Sequence, residues 1–430
     1  MGFNEIYQSK LMDADQAVKF IQDGWGVAVP VAVGQPPVLI NALARRQNEF
    51  SKLNYWSVVD VYPTDMLAIE RNDRIEQDYS YCFNSRKGEQ AGQFVYTPVR
   101  LGEASQIIKH RKYQAVMLQV SPMDALGYFS MGVSCDYTKP FIDDAEVIIV
   151  QVNNNMPRTF GRNFVHVNQV SAIVEASHPL AALPSIKPND NEQLIGQYIA
   201  DLVEDGSTIQ LGIGGIPNAA AMALENKKDL GVHTEMIADA NRILWEKGAI
   251  NNSRKTVLPD IMVATFALGS QELYKWLDNN PAVHFYPTEF VNDPMIIAQN
   301  NKMISINSTM EIDLSGQACS ESIGPVQYTH TGGQADFVYG AGRSKGGKSI
   351  IALESVADTK EGRISKIVTH LKYGSFITAP RYETQYVVTE FGVACIKYQT
   401  LWERAKRLIS IAHPDFRDQL MFEAKKVHFI

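Results

Sequence analysis

Apolar residues along this chain recur at two spacings, and each predicts its own element. Within residues 13–24, Ala17, Val18 and Ile21 recur at helical spacing, with Gly24 closing the helix. Residues 25–33, WGVAVPVAV, form a β-rich run that ends in Gly34-Gln35-Pro36-Pro37, and a helix is expected over 38–46. The same grammar returns later. Residues 191–206 place Ile195, Ile199 and Leu202 on one helical face, and a β-rich run over 207–212 then breaks into a glycine loop at Gly212, Gly214 and Gly215. Pro217 opens an alanine-rich helix whose first turn presents free amides. After the charged stretch 225–229, Gly231 is expected to end that helix, and 232–237 reads as one further strand with Glu235 in it.

Aligning Gly24 with Gly206 sets IQDGWGVAVPVAVGQPPVLINAL beside LVEDGSTIQLGIGGIPNAAAMAL, which reads as a duplication. Further strands are expected at 55–62, 115–120 and 146–152 in the first half. In the second half they are expected at 257–267, 282–286, 303–306, 349–353 and 385–388, with closing helices at 400–412 and 415–426. The fold class is therefore α/β, with two related open domains of mostly parallel sheet. The proline-rich stretch around Pro179, Pro184 and Pro188 suggests a boundary between residues 1–185 and 186–430, the second domain carrying the candidate glutamate. Loops after successive strands of a parallel sheet open onto one crevice. Glu235 is accordingly the reactive-group candidate, and residues 212–216 its anion cradle.

Composition narrows the class. The chain has 430 residues, 45% hydrophobic and 20% charged, an ordinary globular balance. A formal charge of −7 argues against general nucleic-acid binding, which needs a basic surface. The four cysteines, Cys82, Cys135, Cys319 and Cys395, form no CxxC pair, so neither a disulfide framework nor a zinc knuckle is expected. The amino-terminal MGFNEIYQSKLMDADQ carries acids and no apolar core, and the expectation is a cytoplasmic protein without a membrane segment.

Several motifs compete for the chemistry. The glycine loop matches GxGxxG only in part, because Pro217 stands where the third glycine would be, and no acid marks a ribose site. Residues 342–349, GRSKGGKS, match GxxxxGK[ST] by letter, but the apolar β-branched run SIIAL follows instead of a helix, which argues against a nucleotide phosphate loop. Glu289, in FYPTEFVNDP, rivals Glu235; its place between Pro287 and Pro294 suits a supporting role, with Asn292 three residues on. The histidines are scattered and HExxH is missing, so no metal is expected.

Taken together, GIGGIPNAAAMAL with GVHTEM, YPTEFVNDP, INSTMEIDLSGQ, TGGQADFVYGAGRSKGGKSIIAL, and YVVTEFGVA before HPDFRDQL resemble the acetyl-CoA hydrolase/transferase family. Within it the chain is most similar to the branch of 4-hydroxybutyrate and butyrate:acetate CoA-transferases. The resemblance extends to YTPVRLGEASQIIK and SPMDALGYFSMGVSCDYTK near the amino terminus. It implies a homodimeric or larger enzyme of short-chain acid metabolism whose substrates are acyl-CoA and a short carboxylate. By the same resemblance Glu235 attacks the thioester, while Gly212, Ile213, Gly214, Gly215 and Ile216 face CoA. Gly333 supplies an amide near the thioester carbonyl, Asn292 corresponds to the asparagine of the NDP turn, and Lys360 to a lysine that holds CoA. Phe391, where relatives differ, is expected to alter the acyl pocket. Beside a ping-pong CoA-transferase stand three other readings: an acyl-CoA hydrolase, a CoA-binding module without catalysis, and a phosphate-loop ATPase.

Overall fold

The computed structural model describes residues 2–80, 83–184, 186–360 and 362–430; Cys82 and the expected boundary residue Ser185 lie outside the described residues. The chain forms two compact units. The first comprises Met1–Pro184, Glu235–Ile237 and Val263–Val291; the second comprises Ser185–Thr234, Ala238–Met262 and Asn292–Ile430. The chain thus changes unit repeatedly rather than once near residue 185, and Glu235 falls in the first unit.

In the first unit, among the described residues, six parallel strands form one sheet: β1 (Gly26–Ala28), β2 (Leu53–Val58), β3 (Ile75–Ser80), β4 (Ala115–Val120), β5 (Val147–Val152) and β6 (Ala172–Glu175). Their order is β3-β2-β1-β4-β5-β6. Strands β4 and β5, AVMLQV and VIIVQV, are buried at every residue, as parallel strands covered on both faces must be. β1 is shorter than the apolar run suggests. Pro30 has no amide to give a ladder, and Ala32 turns to φ 49° in a short 3₁₀ turn before helix α1 (Pro37–Arg45). Likewise β2 stops at Val58 because Val59 takes φ 56°. Leu39 and Leu43 of α1 pack with Val27, Leu53 and Tyr55 in the core.

In the second unit the sheet runs β8-β7-β9-β10-β11-β12, with β7 (Thr208–Leu211), β8 (Gly231–Val232), β9 (Met303–Ser308), β10 (Lys348–Ala352), β11 (Tyr386–Thr389) and β12 (Gly392–Cys395). All its pairs are parallel except β11 with β12. Helix α2 (Asp190–Leu202) precedes β7, α3 (Gly215–Ala223) follows it, and α4 (Gln334–Ala341) joins β9 to β10; α5 (Leu401–Ser410) and α6 (Pro414–Lys426) close the chain. In each unit the strand order reverses beside the first strand, between β1 and β4 and between β7 and β9. Such switch points open a crevice at the carboxyl ends of the strands. The two segments whose sequences align, β1 with α1 and β7 with α3, occupy this same topological place.

Three further expectations change. Residues 232–237 are not one strand: β8 pairs with β7, whereas Met236–Ile237 pairs with Phe266–Ala267, and Glu235 lies at a bend between them. Gly231 starts β8 instead of ending a helix, which stops at Ala223. Of the run 257–267 only Met262–Ala264 and Phe266–Ala267 are extended, because Leu258 and Asp260 take φ 51° and 67°.

The start of α3 is held by close packing on α2. A Cβ added at Gly196 would lie 2.6 Å from the carbonyl carbon of Ala219 and 2.7 Å from its oxygen, both backbone atoms that cannot swing aside. Gly196→Ala is expected to destabilise the protein by about 1–3 kcal/mol through overpacking, despite alanine's better helix propensity. A chemical-denaturation midpoint at or above that of the wild type would contradict this packing.

Candidate active site

Glu235 is held in the first unit by its own backbone. Its carbonyl accepts hydrogen bonds from the amides of Thr265 at 3.0 Å and Phe266 at 3.2 Å, and the amide of Leu268 donates to Ile237 O at 3.1 Å. The residue is half-buried at its bend. Glu289, the rival, begins the second position of the short helix Thr288–Val291, is exposed, and accepts from Ser105 Oγ at 3.2 Å. Of the two carboxylates, Glu235 alone belongs to a partly sheltered place.

The remaining candidates belong to the second unit. Gly214 takes φ 116° and ψ −177°, a conformation open only to glycine, and forms the N-cap of α3, which starts two residues before Pro217. Its carbonyl accepts from the amide of Asn218 at 3.1 Å. The first-turn amides of Gly215 and Ile216 precede any intrahelical partner, the ordinary state of a helix start and a setting that favours negative charge. Gly212 and Ile213 lead into this turn, half-buried, while Ile216 is buried. The cradle has one feature the sequence did not suggest. Gly215 backs onto Glu192, whose Oε1 would sit 1.8 Å from an added Cβ and whose Oε2 accepts from the Asn189 amide at 2.8 Å in a capping box. The loop therefore offers its amides beside a resident carboxylate. The signal for it, Asn189 followed three residues later by Glu192, is an N-terminal capping pattern readable in NDNE.

Asn292 is fully buried between the short helices Thr288–Val291 and Pro294–Ala298. Gly333 is buried and forms the N-cap of α4, its carbonyl accepting from Phe337 N at 3.0 Å. The turn before it is fixed from three sides. Gly332 takes φ 58°, its amide donates to His330 Nδ1 at 2.9 Å, and Thr331 Oγ1 donates to Glu321 Oε2 at 2.7 Å. α3 and α4 are both crossovers between parallel strands, so both begin at the carboxyl edge of their sheet. The His233 ring, two residues before Glu235, lies 6.3 Å from the ring of Phe337 in the first turn of α4. Lys360 stands exposed at the turn of the hairpin formed by Val356–Thr359 and Gly362–Ser365. Phe391 lies in the turn between β11 and β12, its ring against His413 at 5.3 Å and under the Arg417 guanidinium at 5.6 Å.

The phosphate-loop lookalike resolves differently. Lys348 opens strand β10, with no helix after it, and its Nζ donates to Leu202 O at 2.7 Å and Glu204 Oε1 at 3.3 Å. Among the described residues no group of three or more His, Cys, Asp or Glu side chains is arranged to hold a metal ion, and no helix is long and apolar enough to cross a membrane.

Comparison with known proteins gives a consistent picture over the whole length. Residues 1–184 match the acetyl-CoA hydrolase/transferase N-terminal domain, and residues 269–424 match the C-terminal domain of the same name. The chain is 44% identical to the 4-hydroxybutyrate coenzyme A transferase of Clostridium kluyveri, over 99% of this chain and 100% of that protein. It is 41% identical to the succinyl-CoA:cyclohexane-1-carboxylate CoA transferase of Geobacter metallireducens, over 100% and 98%. Among solved structures it is similar to RipA from Yersinia pestis, with a TM-score of 0.92 at 37% identity over all of both chains.

Lys348→Ala is expected to lower stability by about 1–2 kcal/mol through the lost charge-assisted hydrogen bonds, with no saturable binding of Mg-ATP by calorimetry before or after the change. ATP binding that disappears in the variant would restore the phosphate-loop reading.

Proposed function

The chain belongs to the acetyl-CoA hydrolase/transferase family and is a CoA-transferase; we propose that it moves CoA between a short-chain acyl-CoA and a free carboxylate of the acetate, butyrate or 4-hydroxybutyrate type, by a ping-pong route through Glu235. The observation that carries the choice of Glu235 over Glu289 is its setting: a half-buried bend pinned through its own carbonyl, against an exposed helical surface.

In this reading a carboxylate oxygen of Glu235 attacks the thioester carbonyl carbon, the C–S bond breaks, and CoA thiolate leaves a mixed anhydride. The thiolate then attacks the glutamyl carbonyl carbon, the bond to the acyl-bearing oxygen breaks, and the first carboxylate departs, leaving a glutamyl-CoA thioester. The acceptor carboxylate runs the same steps in reverse. Bonds exchanged on the two sides are alike, so no net energy input, water or redox partner is required. Negative charge grows on the thioester oxygen during each attack, and preorganised amides are worth on the order of 3 kcal/mol each there. Gly333 and residues 212–216 are assigned that work because glycine backbone admits the closest approach. Asn292 is assigned the holding of the glutamyl group, and Lys360 an outer contact to CoA.

Glu235→Ala is expected to lower kcat by several orders of magnitude with the fold unchanged by circular dichroism, while Glu289→Ala retains most activity. Initial rates against both substrates are expected to give parallel double-reciprocal lines. Intersecting lines, or an active Glu235→Ala, would overturn the route; free acid released from acyl-CoA without any acceptor carboxylate would favour a hydrolase.

A further inference from the structure

One buried carboxylate in the first unit has no place in the chemistry just described. Asp136 is wholly buried, and among the described residues no cationic side chain pairs with it. Its Oδ2 accepts from the amide of Val31 at 2.8 Å, and its Oδ1 accepts from the amide and the hydroxyl of Thr138, each at 2.8 Å. Its own backbone is turned to φ 23°, a left-handed conformation that a non-glycine residue holds only when its surroundings impose it.

What this anchoring controls is the segment against which Glu235 is hung. The carbonyl of Thr265 accepts from the amides of Cys135 at 2.9 Å and Asp136 at 3.4 Å, Ser134 bridges Phe266 in antiparallel fashion, and Ala267 N donates to Val133 O at 2.8 Å. Thr265 and Phe266 are the residues whose amides hold the Glu235 carbonyl. Ser134 Oγ donates to Val31 O at 2.7 Å, tying the same segment to the loop after β1 a second time. An unbroken series of hydrogen bonds thus runs from the loop at the switch point of the first sheet, through the Asp136 carboxylate and Thr265, to the peptide of Glu235.

We propose that Asp136 is a positioning residue, its ionised carboxylate clamping residues 134–136 to the loop after β1 so that Thr265 and Phe266 set the location of Glu235. The proposal rests on the reading of Glu235 as the group that is acylated. An apolar filling would pack the site at lower electrostatic cost, because a buried charge without a partner is expensive. The carboxylate is suited to the task because it alone accepts three donors from two directions at once.

The clamp depends on ionisation. Burial pushes the Asp136 carboxyl up to about 6, with the hydrogen bonds from Thr138 and Val31 pulling against it. A protonated oxygen presents a hydrogen where one of those donors already points, so a clamping bond is lost as pH falls. The other titratable or charged groups nearby are Cys135 and Tyr137, both raised by burial and neutral in this range, Lys139 on the same segment, and Arg162, whose carbonyl accepts from Cys135 Sγ at 3.3 Å. The Thr288 segment, whose amide donates to Asp136 O at 3.4 Å, carries Glu289; residues 29–33 and 264–267 carry none, and Glu235 lies beyond Thr265. An acid limb near pH 6, arising from Asp136, is therefore expected in the rate profile.

The test follows formation of the Glu235 adduct. Wild type and Asp136→Asn are mixed with acyl-CoA, quenched with borohydride at set times, and the modified peptide is quantified by mass spectrometry alongside steady-state rates across pH 5–8. Asp136→Asn is expected to label the same glutamate roughly ten- to a hundredfold more slowly, with KM for acyl-CoA within about twofold of wild type and the acid limb gone. Thr138→Val, which removes one hydrogen bond to the charged form, is expected to move that limb to higher pH, and it serves if the asparagine variant fails to fold. Equal labelling rates in wild type and Asp136→Asn, or an unmoved limb in Thr138→Val, overturn the role of Asp136 and leave Glu235 standing. Label found on another residue in wild type overturns both.

Discussion

The first unit takes hold of Glu235 by its backbone carbonyl oxygen. Two amides, from Thr265 and Phe266, converge on that oxygen and fix the peptide, while the short parallel pairing of Met236–Ile237 with Phe266–Ala267 keeps the chain extended beyond it. Without these bonds a three-residue visit to the first unit would have nothing to define it, since so short a segment buries little surface of its own.

In the second unit the same economy is reached with glycine. Gly196 lets α2 and α3 meet backbone to backbone, Gly214 supplies a conformation other residues avoid, and Gly332 turns the chain so that Gly333 caps α4. Side-chain partners then lock what glycine leaves loose: Glu192 beside Gly215, and His330 with Glu321 around the turn before Gly333. Backbone amides are useful to a developing oxyanion only if they are already pointed when charge appears. The rigid surroundings of these two helix starts supply that condition.

Much of this was legible in the sequence, and the failures have physical causes. Strand β4 keeps its expected bounds because five apolar residues and one buried glutamine fit a parallel strand covered on both faces, and β-branched residues after Lys348 mark a strand where a phosphate loop needs a helix. The break at Glu235 was invisible: periodicity reports which way side chains face, not which neighbour the backbone bonds to, so a strand that changes partners reads as one strand. β1 was overextended for a related reason, because Val29, Val31 and Val33 are apolar whether or not Pro30 and Ala32 allow a ladder. Glu192 was recoverable from its capping pattern. Asp136 was not, since an aspartate in a turn-rich stretch looks solvated until the fold closes over it.

The claim at the centre is that the Glu235 side chain itself becomes the carrier of CoA. A crystal structure obtained after soaking with a short-chain acyl-CoA in the absence of acceptor tests it most directly. Continuous density joining the Glu235 carboxyl carbon to the pantetheine sulfur is the predicted result. An occupied site in which that sulfur lies well away from Glu235, bonded elsewhere or to the acyl group alone, would contradict it.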